Sequence, residues 1–466
     1  MAEKESDSTE SFFDRLASKA ERYDNGAAIR KQVPRSSHQE WIPTEKREDP
    51  VDILIQTSIG RLEHLLPIRY RRMIESPFAF YRGAAAIMAA DLANTPNTGI
   101  QLQLCGDCHL MNFGGFATPE RKLVFDINDF DETFQGPWEW DVKRLATSFA
   151  IAGKWRKFST KDCKAFAWNV ADSYKRHMLD YSKLSALQIW YADIDLAELI
   201  DLGKDEELKE FQQKRIKKAA ESIAHEKEFA KMTYLDGIRA RIKDDPPLIY
   251  HPSGPEESYT LREAKQVHKR YIESLPEDKQ VLLSRYTMHD FAIKVVGVGS
   301  VGTLCGISLL MSATGEPIFL QFKEARKSVL EINVKKRGKY SHQGERIVMG
   351  QKLMQSAPDM FLGWTNDDKG KYFYIRQLRD AKIKPVIEIM KSENMADYAK
   401  ACGWALARAH ARSGDPSILS GYIGNNNEFA NAIAKFSMLY AHQNELDYNK
   451  MVDAVKEGRL PISAEV

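Results

Sequence analysis

Residues Gln101–Ala146 read QLQLCGDCHLMNFGGFATPERKLVFDINDFDETFQGPWEWDVKRLA, and the rest of the chain is read outward from them. Two apolar runs, Leu102–Leu104 and Leu123–Ile127, have strand character, and each runs into a polar cluster. The first cluster is Gly106-Asp107-Cys108-His109-Leu110-Met111-Asn112; the second is Asp126-Ile127-Asn128-Asp129-Phe130-Asp131-Glu132. A carboxylate followed five positions later by an amide, with a further acid after the next strand, suits metal-assisted phosphoryl transfer. Asp107 would orient or deprotonate an attacking hydroxyl, while the Asn112 amide oxygen and the Asp129 carboxylate would hold Mg²⁺. Mg²⁺ takes few, hard oxygen ligands and keeps several waters, so one amide and one acid suffice.

Upstream, Ile53, Leu54, Thr57, Ile59, Leu62, Leu65 and Leu66 recur at helical spacing until Pro67. Ser76 is an expected N-cap with Pro77 at the first helical position. Arg69, Arg71, Arg72 and Arg82 are candidate phosphate contacts; Arg82 stands out because it sits among aromatic residues, where an unpaired charge is costly. Before residue 50 the chain is polar, with a short helix expected over Phe12–Arg22 and then a flexible or surface-draped arm.

Downstream, Phe149–Trp168 and Tyr174–Tyr191 have helical spacing, Glu206–Lys231 reads as a charged, solvated helix, and helix is expected to persist to about Lys243. At Phe291 the period becomes that of a strand. The run enters Gly297-Val298-Gly299-Ser300-Val301-Gly302, continues through Leu304–Met311, turns at Thr314–Pro317, and returns as Ile318–Phe322, ending in Lys323. Glycines there let backbone N–H groups approach phosphates, and Lys323 would neutralise them. A dinucleotide-binding turn with the same glycine spacing needs a helix directly after it; a hairpin follows here. Gln343–Ser356 then reads as a helix, Phe361–Trp364 and Tyr372–Leu378 as strands, and Tyr398–Arg412 as a helix. Glu345 and Glu331 are alternative partners for Lys323.

Asp107 to Asn112 resembles the catalytic loop of the protein-kinase-like superfamily, especially its aminoglycoside and choline kinase branch. Asp129-Phe130-Asp131, Gly136-Pro137 and Asp141-Val142 resemble that branch's metal-binding acid, its turn and its helix start. Two departures stand out. Cys105 replaces a histidine, and the segment between Asn112 and Asp129 is longer, so Asp126 competes with Asp129 as metal ligand. The elements from Gly297 to Leu378 resemble the small lobe of that superfamily but follow the catalytic loop rather than precede it. The resemblance thus implies an α+β, two-lobed, circularly permuted kinase-like fold with ATP and Mg²⁺ as cofactors. Its large lobe is helical and its small lobe antiparallel β. The phrases SPFAFYRG, GDCHLMNFGG and NDFDETFQGPWEWDVKRLA resemble a bacterial domain-of-unknown-function family from about Asp52 to His442.

The expected organisation is an arm over 1–50, a helical lobe over 51–285, a β lobe over 286–385, and helices over 386–466 that complete the large lobe. The leading function is a phosphotransferase acting on a small hydroxylated molecule or a protein acceptor. Its alternatives are a nucleotide-binding module without transfer and a nucleotidyltransferase. A third reading takes Cys105-Gly106-Asp107-Cys108-His109 as a haem-attachment or thiol-redox motif, and both cysteines also fit as small buried groups beside a loop. A net charge of +2 gives no drive toward nucleic acid or anionic membrane. No apolar run reaches membrane-span length, and five scattered cysteines point to a reducing cytoplasm.

Overall fold

The structure is a computed structural model that describes residues 17–203, 205–220, 229–237, 239–252, 260–334, 338–378 and 382–463. It is an α+β fold in which a six-stranded antiparallel sheet stands beside a body of helices, with three two-stranded sheets. Across the large sheet the strands run Gly363–Asn366, Tyr372–Gln377, Pro317–Glu324, Cys305–Ser312, Tyr286–Lys294 and Ile249–Tyr250. Register places Lys323 between Tyr374 on one neighbour and Cys305 on the other, so these three side chains share a face. The opposite face is apolar: Phe291, Leu310, Leu320, Phe322 and Ile375 pack against Ala264, Val267, Tyr271 and Leu283. Those four lie on the Leu261–Glu273 and Glu277–Leu283 helices, so residues 261–283 pack with the sheet and the expected boundary at 285 falls inside this unit.

In the helical body, Glu139–Trp155, Thr160–Lys183, Ser392–Ser413 and Glu428–Lys456 pack around one continuous core that includes Trp138, Phe149, Tyr174, Leu406 and Phe436. Trp138 and Tyr174 stack with ring centres 5.7 Å apart. The helix expected over Phe149–Trp168 is two helices. Lys157, at φ +60°, takes the left-handed turn that ends the first, and the Ser159 hydroxyl caps the second by accepting from Asp162 N at 3.1 Å. Helix does not persist to Lys243 either. Thr233–Asp236 and Arg239–Ile242 form a hairpin whose Ala240 and Ile242, two residues apart and so on one face, pack on Ile307, Leu309 and Phe319. A dense run of charges upstream hides that two-residue alternation.

Part of the expected Phe12–Arg22 helix lies outside the described residues; the observed helix is Lys19–Ile29. From there to Asp49 the chain lies across the helical body rather than hanging free. Arg22 pairs with Asp415 at 2.8 Å, and Arg47 pairs with Asp91 at 2.8 Å and Asp447 at 2.5 Å. Gly26 and Gly421 let two helices cross backbone to backbone: a Cβ on Gly26 would run into Ile418 O, and one on Gly421 into Tyr23 O. Pro67 opens the Leu66–Met73 helix instead of breaking one. Ser76 is the N-cap of Pro77–Gly83, accepting from Ala79 N at 3.0 Å. Among the described residues no helix is long and apolar enough to cross a membrane.

Candidate functional site

Gln101–Leu104 pairs with Phe134–Pro137, which brings residues 105–112 and 129–133 to the same edge. After Leu104 the chain turns at Gly106, whose φ of +86° and closeness to Glu132 O exclude a side chain. Asp141, buried in the first turn of Glu139–Trp155, accepts from Cys105 N at 2.8 Å and Gly106 N at 3.1 Å. An acid at a helix start therefore fixes the backbone that presents Asp107. The Asp107 carboxylate is held by Arg144, Nε to Oδ1 at 2.8 Å, and its side chain stays 23% exposed.

Asn112 Nδ2 donates to Asp107 O at 2.8 Å, which ties up the amide nitrogen and leaves the amide oxygen for a cation. The extra length between Asn112 and Asp129 is a hairpin, Phe113–Ala117 with Leu123–Ile127. It buries Asp126 completely. That carboxylate accepts from Arg408 Nη2 at 2.8 Å on both oxygens, and from Ser356 N and Oγ at 2.8 Å. Asp126, the rival for the metal role, has no open face. Asp129 and Asp131 do, with side chains 33% and 27% exposed.

Lys323 is the meeting point. Its ammonium lies 2.8 Å from Asp131 Oδ2 and 3.8 Å from Asp129 Oδ1. Burial works against its charge, but these two acids outweigh it and hold the ammonium firmly protonated. Burial pushes Asp131 up as well, yet Lys323 and a hydrogen bond from the Tyr374 hydroxyl bring it down to about 2. Packing and the Asp131 charge raise Asp129, the less firmly ionised of the two.

Neither Glu345 nor Glu331 pairs with Lys323 among the described residues. Glu345 is half-buried in the first turn of Gln343–Met354, and the next residue, Arg346, is buried. Arg346 Nη2 donates to Asp131 O at 3.0 Å and Arg326 O at 2.8 Å, and its Nη1 donates to Thr133 O. Arg376 Nη1 donates to Asn128 O at 3.2 Å, and burial together with the Arg376 charge pushes Lys382 well below the usual lysine range. Arg376 and Lys382, with Asn128, Gln355, Gln377, Phe116 and Met360, line an open cleft of about 130 Å³ at the residue before Asp129.

The glycine turn is anchored over the same place. Gly297 and Gly302 have φ of +71° and +85°, which only glycine adopts readily. Arg61 Nη1 donates to Gly299 O at 2.8 Å and Val301 O at 2.7 Å, Arg72 Nη1 to Gly297 O at 2.6 Å, and Leu62 N to Gly302 O at 2.7 Å. Ser300 Oγ reaches Asp131 Oδ2 at 3.4 Å. Thus Asp107, Asn112, Asp129, Ser300 and Lys323 converge, although 192 residues separate Asp131 from Lys323.

Asp131, Arg144, Arg346 and Tyr374 were not singled out by the sequence. The Asp129-x-Asp131 spacing carried a signal for one of them, since residues two apart on an extended chain share a side. Cys105 and Cys108 are 1% and 0% exposed, and burial pushes both thiols up, Cys108 to about 11. Burial lowers His109 to about 3.

A model of one family, described as an uncharacterized protein conserved in bacteria (DUF2252), matches residues 61–454. Compared with curated proteins and with solved structures, the chain has no match.

Proposed function

The chain belongs to that bacterial family, and we propose that it is an ATP- and Mg²⁺-dependent phosphotransferase of kinase-like type, circularly permuted, acting on a hydroxylated acceptor. One observation carries this reading: Lys323, from the C-terminal sheet, ion-pairs with the acids of the N-terminal loop beside Asp107 and Asn112. Each half of the chain supplies what the other lacks.

The donor set fits the proposed cofactor. Asn112 has its amide oxygen free and Asp129 has an open, only weakly committed carboxylate, which are the hard oxygen ligands Mg²⁺ takes. Bound there, Mg²⁺ and ATP supply an activated phosphoryl group. Lys323 would steady the phosphates, and the turn from Gly297 through Gly302 would cover them. Arg376 adds positive charge at the cleft, where Lys382 is a hydrogen-bonding group, and the cleft's amide side chains and Phe116 suit a nucleobase. Asp107, held in one orientation by Arg144, would accept the hydrogen bond of the acceptor hydroxyl. The buried thiols of Cys105 and Cys108 offer no open face for haem attachment or thiol exchange.

A second reading, nucleotide binding without transfer, is favoured by one contact: Arg144 Nε and Nη2 both donate to Asp107 Oδ1, which leaves only Oδ2 for an acceptor hydroxyl. Incubation with γ- and α-labelled ATP and a panel of hydroxylated acceptors separates the two, alongside thermal denaturation with ATP and Mg²⁺. A ligand at about 100 times its Kd stabilises the native state by about 2.7 kcal/mol. The expected result is a raised Tm that Lys323→Ala abolishes, and transfer of γ-label only. A wild-type Tm unmoved by millimolar ATP and Mg²⁺ would overturn the nucleotide reading, and a raised Tm without label transfer would leave the binding module.

A further inference from the structure

Besides Arg376, which donates to Asn128 O, five arginines approach this site, and four of them are spoken for. Arg61 and Arg72 hold carbonyls of the glycine turn, Arg144 holds Asp107, and Arg346 holds the 131–133 loop. The fifth, Arg82, closes the SPFAFYRG stretch and is different. Among the described residues its guanidinium donates no hydrogen bond and makes no ion pair, and its Nε is buried without a partner. Its guanidinium lies over the Phe78 ring, 5.9 Å from the ring centre. Leaving a guanidinium half-buried and unpaired is costly, and such a group is retained where an anion is to be received.

Its position says which anion. Arg144 Nη2 donates both to Tyr81 O, at 3.0 Å, and to the Asp107 carboxylate, so one nitrogen ties the residue before Arg82 to the candidate base. From above, a Cβ at Gly299 would lie 3.4 Å from Arg82 O, so the tip of the glycine turn rests on this residue. Burial works against the Arg82 charge, and of the acids that favour it Asp107 acts most strongly, ahead of Glu388 and Glu75. Arg82 thus stands between the turn that would cover the phosphates and the carboxylate that would hold the acceptor hydroxyl.

We infer that Arg82 binds the terminal phosphoryl group of the nucleotide, the group in transfer. This rests on the phosphotransferase reading. In transfer the bond from the terminal phosphorus to its bridging oxygen breaks, and the bond to the acceptor oxygen forms. The nucleoside diphosphate leaves with the electron pair, and the hydroxyl proton passes toward Asp107. Arg82 neutralises charge on the non-bridging oxygens throughout and exchanges no proton. Its neighbours Arg69 and Arg72 cannot do this, because Arg69 is bonded to Ser58 Oγ at 2.7 Å and Arg72 to Gly297 O.

The test compares ATP·Mg²⁺ with ADP·Mg²⁺ binding, by calorimetry, in wild type, Arg82→Gln and Arg82→Lys, with the Tm of each ligand-free protein as a control for folding. Arg82→Gln should weaken ATP binding about tenfold, the factor one charge-assisted contact commonly carries, and ADP binding less than twofold. Arg82→Lys should fall between, because it keeps the charge without the fork. Equal losses for ATP and ADP, or none, would overturn the inference. So would a lowered ligand-free Tm with the ATP-to-ADP ratio intact, which would make Arg82 a packing residue. Inorganic phosphate forms a separate arm. If wild type binds neither nucleotide but Arg82→Gln abolishes a Tm rise caused by phosphate, the phosphotransferase reading fails and Arg82 remains an anion site. Failure of both arms overturns both.

Discussion

Asp126→Asn and Asp129→Asn should part company in stability, although three residues separate them. Asp126 and Arg408 are both 0% exposed, and Arg408 Nη2 reaches both carboxylate oxygens at 2.8 Å. Asparagine in place of Asp126 removes the charge and turns an amide NH₂ toward groups that can only donate: Ser356 N, Ile127 N and the guanidinium. Arg408 is then a buried cation with Met354 O as its remaining partner and with Nε and Nη1 unbonded. Removing one member of a buried pair costs about 3–5 kcal/mol. Asp129 differs in kind. It lies 3.8 Å from Lys323, which keeps its 2.8 Å contact to Asp131, and the loss of one carboxylate relieves repulsion between the two acids. Asp129→Asn should therefore shift stability by less than about 1 kcal/mol. Urea unfolding followed by tryptophan fluorescence and circular dichroism measures both. Adding Arg408→Met to Asp126→Asn should recover part of the loss, since no charge is left unpaired. An Asp126→Asn midpoint level with wild type, or an Asp129→Asn loss as large as that of Asp126→Asn, would refute the reasoning.

Gly421→Ala should undock the Lys19–Ile29 helix, because its methyl meets Tyr23 O and neither backbone can withdraw; overpacking of this sort costs about 1–3 kcal/mol, and limited proteolysis near residue 20 should become faster. Asp107→Asn should lower turnover while leaving nucleotide affinity within about twofold, whereas Asp129→Asn should weaken Mg²⁺-dependent nucleotide binding itself; paired calorimetry and transfer assays read the difference. His251 bonds Asp290 at 3.1 Å through Nε2 and Asp244 at 2.7 Å through Nδ1, and the Asp290 bond raises its pKa above the ordinary value. A raised histidine stabilises fully below its unfolded pKa of about 6.5, and that contribution is lost as pH climbs through the higher folded value. Amide exchange at Ile242, whose N–H is bonded to Asp290, should accelerate over that climb in wild type and lose the dependence in His251→Gln.

Local chemistry made much of this legible. Ser76 and Pro77 mark a helix start by their own preferences, and Gly297 and Gly302 bend where only glycine bends easily. The hairpin that ends in Lys323 shows in its period and its turn, and the acids at 129 and 131 show in their spacing. What stayed hidden depends on partners far along the chain. Nothing near Asp126 announces Arg408, so Asp126 stayed a competitor to Asp129, the preferred metal ligand, in the sequence. Glu345 is the charge a reader expects on a helix facing a lysine, yet the helix rotates Arg346 inward, because the 131–133 carbonyls need a donor more than Lys323 needs a third acid. Lys157 ended a helix without the glycine that usually marks such a stop.

The separation of partners along the chain also orders events in time. Asp126 and Arg408 are 282 residues apart, and at 5–20 residues per second a ribosome needs roughly 15–60 s to travel between them. Through that interval the carboxylate has no counter-ion, and the hairpin that carries it cannot close into a dry core. Tyr398, whose hydroxyl bonds Leu110 O at 2.5 Å beside the Asp107 turn, is just as late. The loop presenting Asp107 therefore takes its shape only after Tyr398 and Arg408 have been made. A message cut short before Arg408 yields an inert polypeptide open to proteases, not a partly working one.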